Sequence, residues 1–142
     1  MKKLLVAFDA SENALRALRW AIELVRARPD ASIHLVNAHE PPATYLDLGL
    51  YIPLGDFVAM QRAESERVLR DGALLLEQAG VPHAQEVLTG PIGSVIAGRA
   101  DALGCDGIVM GTRGMGALKN LLMGSVATKV LHEAHVPVTL VK

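Results

Sequence analysis

The sequence predicts an α/β fold: one doubly wound domain with a five-stranded parallel sheet and helices on both faces. Five short apolar segments alternate with four segments of helical periodicity along the 142 residues, an order typical of parallel strands joined by right-handed crossovers. Several of the apolar segments are continuous runs, as in strands that are buried on both faces. The length fits one domain, so we expect residues 1–142 to fold as a unit with strand order 3-2-1-4-5.

The first half of the chain contains two of these strands and one complete helix. A continuous apolar run predicts a strand at residues 4–8, and Ser11 is a favoured N-cap residue for the helix that Pro29 ends. A second strand at residues 32–39 stops at two prolines, because proline cannot continue a hydrogen-bonded ladder. Residues 43–55 combine Tyr, Pro and Gly without periodicity, and we expect a long loop there.

The second half repeats the alternation of helix and strand. We expect a long helix at residues 56–79 that ends at Gly80, and a helix that starts with Pro91 just inside it and ends at Gly104. We expect Ser125 to cap a last helix that runs to about residue 134. The remaining apolar segments are predicted strands, at residues 83–89, 106–111 and 137–141.

Composition excludes several classes of function. Fourteen Lys and Arg stand against 15 Asp and Glu, and only 4% of residues are aromatic, so neither a basic nucleic-acid surface nor an aromatic platform for single strands is expected. The apolar run at residues 4–8 is too short for a signal peptide, and no uncharged apolar stretch predicts membrane insertion. The single cysteine, Cys105, suits a reducing compartment. We therefore expect a cytoplasmic protein.

The predicted topology places a ligand site between strands 1 and 4. Open α/β sheets bind ligands at the carboxyl ends of strands where the strand order reverses. Strand 1 ends at Asp9, and strand 4 ends at Gly111 in a glycine-rich loop. We expect Gly111 and Gly114 to turn the loop with positive φ and to approach a ligand closely. The helix that begins at Gly124 offers unbonded N–H groups and a favourable dipole, which predict a phosphorylated ligand.

The same residues could have purely structural roles, and two standard phosphate-binding motifs do not match the loop. The loop could be a structural turn into a capped helix, and Asp9 could cap the first helix together with Ser11. A Walker A loop would need Lys and Ser or Thr after Gly116, where Ala and Leu stand. A dinucleotide fingerprint would need a third glycine at Lys119 and would follow the first strand.

The glycine spacing carries a more specific signal. Gly111-x2-Gly114-x9-Gly124-Ser125 is similar to the motif of the ATP-binding branch of the universal stress protein family. Asp9-Ala10-Ser11 after the first strand and Val136-Pro137-Val138 before the last resemble the same family at matching places. The resemblance extends over essentially the whole chain. It implies the adenine nucleotide alpha hydrolase-like fold and a small ATP-binding regulatory protein of the stress response.

The resemblance also implies roles for individual residues. Asp9 would lie by the ribose or by the phosphates, where it would reach Mg²⁺ indirectly through the nucleotide. The backbone of Ala38 (or Asn37) would meet the adenine edge. The remaining implied contacts are packing near the ribose by Met110, a cradle for ribose and phosphates from Gly111 and Gly114, and a terminal-phosphate site at Gly124, Ser125 and the Val126 amide. The ligand would be ATP, or ADP or AMP, and two copies would pair through their last strands, from Pro137 to Val141.

No catalytic residue is identified by the sequence. None of the five histidines falls in a catalytic motif, and one carboxylate with Mg²⁺ supports binding as readily as hydrolysis. We therefore expect at most slow ATP hydrolysis. Two alternatives stay open: a dimeric interaction module of the same fold that binds no nucleotide, and a genuine nucleotide hydrolase or transferase. The sequence does not identify the protein partner that such a regulator would control.

Overall fold

The structure is a computed structural model that describes residues 1–41, 53–114 and 123–142. The predicted loop at residues 43–55 therefore lies mostly outside the described residues, as does most of the glycine-rich loop that follows strand 4. The described part contains five strands: β1 (Lys3–Ala7), β2 (Ser32–His39), β3 (His83–Thr89), β4 (Gly107–Gly111) and β5 (Val138–Val141). Its four helices are α1 (Glu12–Val25), α2 (Leu54–Gln78), α3 (Ile92–Ala102) and α4 (Ser125–Glu133).

The strands form one parallel sheet in the order β3-β2-β1-β4-β5, which confirms the predicted fold class and strand order. The central strand β1 pairs with β2 on one side, where Leu5 lies opposite His34. On its other side β1 pairs with β4, where Leu5 lies opposite Ile108. The connection after β1 runs to β2 on one side of the sheet, and the connection after β4 runs to β5 on the other side. The carboxyl ends of β1 and β4 therefore lie side by side at the point where the strand order reverses.

Each face of the sheet carries its own apolar core, as a strand buried on both sides requires. Leu4, Val6 and Phe8 point to the face that α1 and α2 cover. Leu5 points to the opposite face, against side chains of α3 and α4. In the part of the chain that the structure describes, no helix has both the length and the apolarity to cross a membrane.

Most ends of the elements follow the predicted signals to within one or two residues, but α1 ends at Val25, further before Pro29 than expected. Ser11 caps α1 as expected, since its Oγ accepts the Ala14 N–H at 3.2 Å. Gly80 and Gly104 end their helices with φ of +68° and +61°, the left-handed conformation that glycine adopts readily. Pro91 differs from the prediction, because it is the N-cap of α3 rather than its first helical residue. Helix α2 likewise starts at Leu54, two residues earlier than expected.

Two helical glycines make a matched test of packing against the sheet. A Cβ on Gly72 of α2 would lie 2.7 Å from Leu35 Cδ2 and 3.1 Å from the Phe8 ring, and both of these side chains are fully buried. A Cβ on Gly98 of α3 would have no neighbour within 4 Å. We expect Gly72→Ala to lower the free energy of unfolding by about 1–3 kcal/mol through overpacking. Gly98→Ala should raise it by up to about 1 kcal/mol through helix propensity.

Urea unfolding of the two variants checks this prediction. A Gly72→Ala protein as stable as the wild type would mean that α2 can move away from the sheet.

Candidate functional site

A cavity of about 440 Å³ opens at the carboxyl edge of the sheet, where the strand order reverses. Its walls come from the ends of β1, β2 and β4 and from the first turns of α1, α3 and α4. All the residues that the sequence analysis assigned to a ligand line this one cavity: Asp9, Ala38, Met110, Gly111, Gly114, Gly124, Ser125 and Val126. The tertiary structure thus brings together residues about a hundred positions apart. Their individual roles toward a ligand stay predictions.

The turn between β1 and α1 places Asp9 at the mouth of the cavity. Its Oδ1 accepts the Ser11 N–H at 2.9 Å, so the side chain supports the start of α1 as well as lining the cavity. Between them, Ala10 has φ of +63°, a left-handed conformation that costs a non-glycine residue about 1–2 kcal/mol. The turn is therefore strained at the point that positions the carboxylate. Such strain is often found at functional sites.

The two loop glycines are required for close approach and not for an unusual backbone conformation. The expected positive φ at Gly111 and Gly114 is wrong, since neither is among the positive-φ residues. A Cβ on Gly111 would lie 2.8 Å from Asn13 Cβ, so this glycine lets α1 pack directly on β4. A Cβ on Gly114 would lie 2.5 Å from Asp9 Oδ2. Gly114 therefore leaves room for the Asp9 carboxylate.

The first turn of α4 lines the cavity with backbone amides. The N-cap is Gly124, so the prediction that Ser125 caps this helix is wrong, and no side chain caps it. The Gly124 N–H donates to the Thr112 carbonyl at 2.6 Å, and the Thr128 N–H donates to the Gly124 carbonyl at 3.1 Å. The N–H groups of residues 125–127 have no acceptor within the helix. The Gly124 amide is thus engaged by Thr112, and Ala127, which sequence reasoning did not name, lines the cavity beside Ser125 and Val126.

Much of the remaining cavity lining is apolar, and it includes one strip of exposed backbone. Val36 accepts the Phe8 N–H at 2.9 Å, so it faces β1. Ala38, two residues further along β2, directs its N–H and C=O to the same side because alternate residues of a strand face the same neighbour. β1 has ended by then, and these groups face the cavity. The backbone of Asn37 faces the other neighbour, β3, and its Nδ2 donates to the Phe8 carbonyl at 2.8 Å.

Several residues of the site were not found by sequence reasoning. Ile92 and Ile96 of α3 line the cavity together with Met110. Apolar residues at helical spacing usually pack in the core, so their pattern gives no signal of a site. Thr112 and Arg113 line the same cavity, and a charged residue in a loop is more often solvated than bound to a ligand. A polar residue after a strand is too common a feature for Thr112 to have been singled out.

His39 anchors the end of β2 next to Ala38. Its Nδ1 lies 3.0 Å from Ser65 Oγ of α2, and its Nε2 lies 3.1 Å from Thr89 Oγ1 at the end of β3. Ser65 is 3% exposed. Burial of the ring lowers the pKa of His39 below its usual value, because burial disfavours the charged form. A neutral ring thus fixes the strand end that carries Ala38.

The described residues contain no cluster of three His, Cys, Asp or Glu side chains that could hold a metal ion by itself. Asp9 is the one acidic side chain among the described residues that line the cavity. A cation here would need most of its ligands from a bound molecule or from water.

Comparison with known proteins shows the family of this chain. The profile of the universal stress protein family matches residues 1–142. The chain belongs to the universal stress protein family. It is 36% identical over 142 residues to a universal stress protein of Thermus aquaticus, encoded in the 3′ region of a QAH/OAS sulfhydrylase gene. That alignment covers 99% of this chain and 98% of the relative.

Solved structures of other universal stress proteins share the fold and include nucleotide complexes. One from Archaeoglobus fulgidus, in complex with dAMP, has a TM-score of 0.74 at 23% identity, and the match covers 100% of this chain and 98% of the other. One from Arabidopsis thaliana, with AMP bound, has a TM-score of 0.72 at 22% identity and covers 100% and 92%. Some universal stress proteins of this fold therefore bind adenine nucleotides.

The pKa of His39 predicts how the stability of this universal stress protein depends on pH. Unfolded histidine has a pKa near 6.5 and the folded group a lower one, so acidification protonates the unfolded state first. The contribution of His39 to stability is therefore undiminished above pH 6.5 and falls as the pH drops below it. We expect His39→Gln to lose less stability than the wild type between pH 7.5 and 5.5, measured by urea unfolding. Parallel pH profiles of the two proteins would contradict this assignment.

Proposed function

We propose that this protein is a small regulatory protein of the stress response that binds ATP, or ADP or AMP, in the cavity between β1 and β4. One observation carries the proposal: residues 125–127, whose N–H groups have no acceptor within α4, line the same cavity as Ala38. The first turn of a helix binds anions through its N–H groups and its dipole. A phosphorylated ligand would therefore lie with its phosphates at α4.

The apolar part of the cavity lining supports a purine as the rest of the ligand. Ile92, Ile96 and Met110 offer aliphatic contacts to a flat apolar ring. The N–H and C=O of Ala38 can pair with a base edge that has one donor and one acceptor, as adenine does. The AMP and dAMP found in structures of relatives have this combination of base and phosphate.

Asp9 fits an indirect role toward Mg²⁺. This ion prefers oxygen ligands and keeps several water molecules, so a site with one or two carboxylates plus substrate phosphates suits it. Asp9 is the one carboxylate among the described lining residues, and Gly114 leaves room for its side chain. When bound, Mg²⁺ would neutralise phosphate charge. The Asp9 carboxylate would then face the hydrated ion and not a phosphate oxygen.

Hydrolysis, if it occurs, would be slow. Phosphoryl transfer needs a residue that orients the attacking water and a cation that stabilises the developing charge. Arg113 lines the cavity and supplies a cation. The described lining has no histidine, and its one carboxylate is engaged by the Ser11 N–H. Substantial ATP turnover that disappears in Asp9→Asn would favour the alternative of a nucleotide hydrolase.

Calorimetry with nucleotide-free protein tests the proposal and the loop together. We expect ATP with Mg²⁺ to bind to the wild type, and Gly114→Val to weaken binding at least about tenfold because its side chain would displace the Asp9 carboxylate. The fold should persist, since Gly114 is exposed. Gly98→Ala, outside the cavity and open to solvent, is the control and should bind as the wild type does.

Two outcomes would count against the proposal. A wild type with no affinity for ATP, ADP or AMP would favour the alternative of an interaction module without nucleotide. Undiminished binding by Gly114→Val would remove Gly114 from the site. Mass spectrometry of any ligand that co-purifies with the protein would identify the nucleotide directly.

We also propose that two copies of the chain pair through the outer edge of β5, and that the single domain acts in the cytoplasm. β5 lies at the edge of the sheet, and its four residues are all partly exposed. An apolar edge strand with open backbone groups is a template for pairing with another strand. One cysteine in the chain forms no intrachain disulfide, which suits a reducing compartment.

The sheet register provides a specific test of this dimer. Pro137 and Val141 direct their carbonyls to β4, where they accept the N–H groups of Ile108 and Thr112. The N–H of Leu140 therefore points to the open edge. Leu140→Pro removes that outward donor without removing a donor to β4, so we expect it to sediment as a monomer while keeping the far-ultraviolet dichroism of the wild type. A dimer that survives in Leu140→Pro would place the interface elsewhere.

A further inference from the structure

Two buried polar side chains form a hydrogen bond beside the cavity, although neither was expected at the site. Asn13, in the first turn of α1, is 6% exposed, and Thr112, the residue after β4, is 7% exposed. Asn13 Nδ2 lies 3.2 Å from Thr112 Oγ1. A buried polar pair of this kind is costly unless it is satisfied, because each group has given up its hydrogen bonds to water.

The direction of this hydrogen bond follows from a third residue. The Asn13 Oδ1 accepts a hydrogen bond from Arg16 Nη2. Arginine has only donors, so the oxygen of the Asn13 amide must face Arg16, and its NH₂ group must face Thr112. Arg16 is held in turn by Glu12 at 2.8 Å and by the Lys142 carbonyl at 2.7 Å. The amide of Asn13 is therefore oriented from both ends, with Thr112 Oγ1 as the acceptor.

The backbone of Thr112 links the same point to two further elements. Its N–H donates to the Val141 carbonyl of β5 at 2.9 Å, and its C=O accepts the Gly124 N–H at the start of α4 at 2.6 Å. Next to it, Gly111 leaves the space that Asn13 Cβ fills. Thr112 thus joins α1, β5 and α4 through three hydrogen bonds.

We propose that Asn13 and Thr112 are positioning residues that hold the first turns of α1 and α4 at a fixed separation across the cavity. This inference rests on the proposed function. A phosphate site built from backbone amides cannot adapt by rotating side chains, so its affinity depends on where the backbone lies. Displacements of under an ångström are enough to weaken such contacts. The Asn13–Thr112 bond is the side-chain link that sets this distance.

A pair of Thr112 variants tests the proposal. Thr112→Val keeps the shape but removes the acceptor, and it leaves the Asn13 NH₂ group buried without a partner. Thr112→Ser keeps the hydroxyl. Calorimetry with ATP and Mg²⁺ should give about tenfold weaker binding for Thr112→Val and affinity within about twofold of the wild type for Thr112→Ser. Equal affinity of Thr112→Val and wild type would overturn the proposal, even if the melting temperature fell.

A double-mutant cycle provides a second readout that does not depend on one variant folding well. If Asn13 acts through Thr112, Asn13→Ala should weaken ATP binding by a similar factor. The double variant Asn13→Ala with Thr112→Val should then bind no more weakly than either single variant. If the losses of affinity in the two single variants multiply in the double variant, the two residues act independently, which contradicts the proposed positioning role.

Failure of the proposed function gives a distinguishable result. If the wild type binds no adenine nucleotide, the proposed function fails. Hydrogen exchange in the free protein still tests whether Asn13 and Thr112 position the first turns of α1 and α4. Peptides that cover residues 111–114 and 123–127 should exchange faster in Thr112→Val than in wild type and Thr112→Ser. Unchanged exchange in those peptides would overturn the positioning role in the absence of any ligand.

Discussion

The reversal of strand order between β1 and β4 is the constraint on which the rest of the molecule depends. Both strands are central and parallel, and the chain leaves their carboxyl ends toward opposite sides of the sheet. α1 packs on one face and α4 on the other, so no crossover covers the gap between them. The cavity lies in that gap. A doubly wound sheet produces such a crevice from its topology alone.

The edges of that crevice are held at close range by small residues and short polar contacts. Gly111 allows α1 to contact β4, and Gly114 makes room for Asp9. Thr112 ties the loop between them to α1, α4 and β5. These contacts are local, but each joins elements far apart in the chain. The cavity is therefore shaped by packing between its walls, and not by the flexibility of its glycines.

The proposed anion site would explain how a nearly neutral chain could bind a phosphorylated ligand. The net charge of −1 reflects no surplus of Lys and Arg. The first-turn amides of α4 would supply partial positive charge from the backbone, without a dedicated basic motif. The same feature leaves little trace in composition, because any sequence that starts a helix there would provide N–H groups. Aliphatic side chains in the cavity lining would likewise take the place of aromatic residues, of which the chain has few.

The prediction from sequence succeeded where a pattern depends on neighbours along the chain. Apolar runs separated by helical periodicity predicted all five strands and four helices that the structure describes, and Gly80 and Gly104 ended helices as expected. It failed at the cap of α4 and at the φ angles of Gly111 and Gly114. Glycine is compatible with both a turn and a close contact, and the residues alone do not distinguish the two.

The sequence by itself thus determined the order of the elements, the sheet topology that this order implies, and the family spacing of the glycine motif. Only the tertiary structure decided which atoms face the cavity. In the structure the Gly124 amide donates to the Thr112 carbonyl, the Ala127 amide lies in the first turn of α4, and the Asn13 side chain is buried. The physical reason is that periodicity records which side of an element is apolar, which is a local property. Hydrogen-bond partners and steric gaps depend instead on how two distant segments meet.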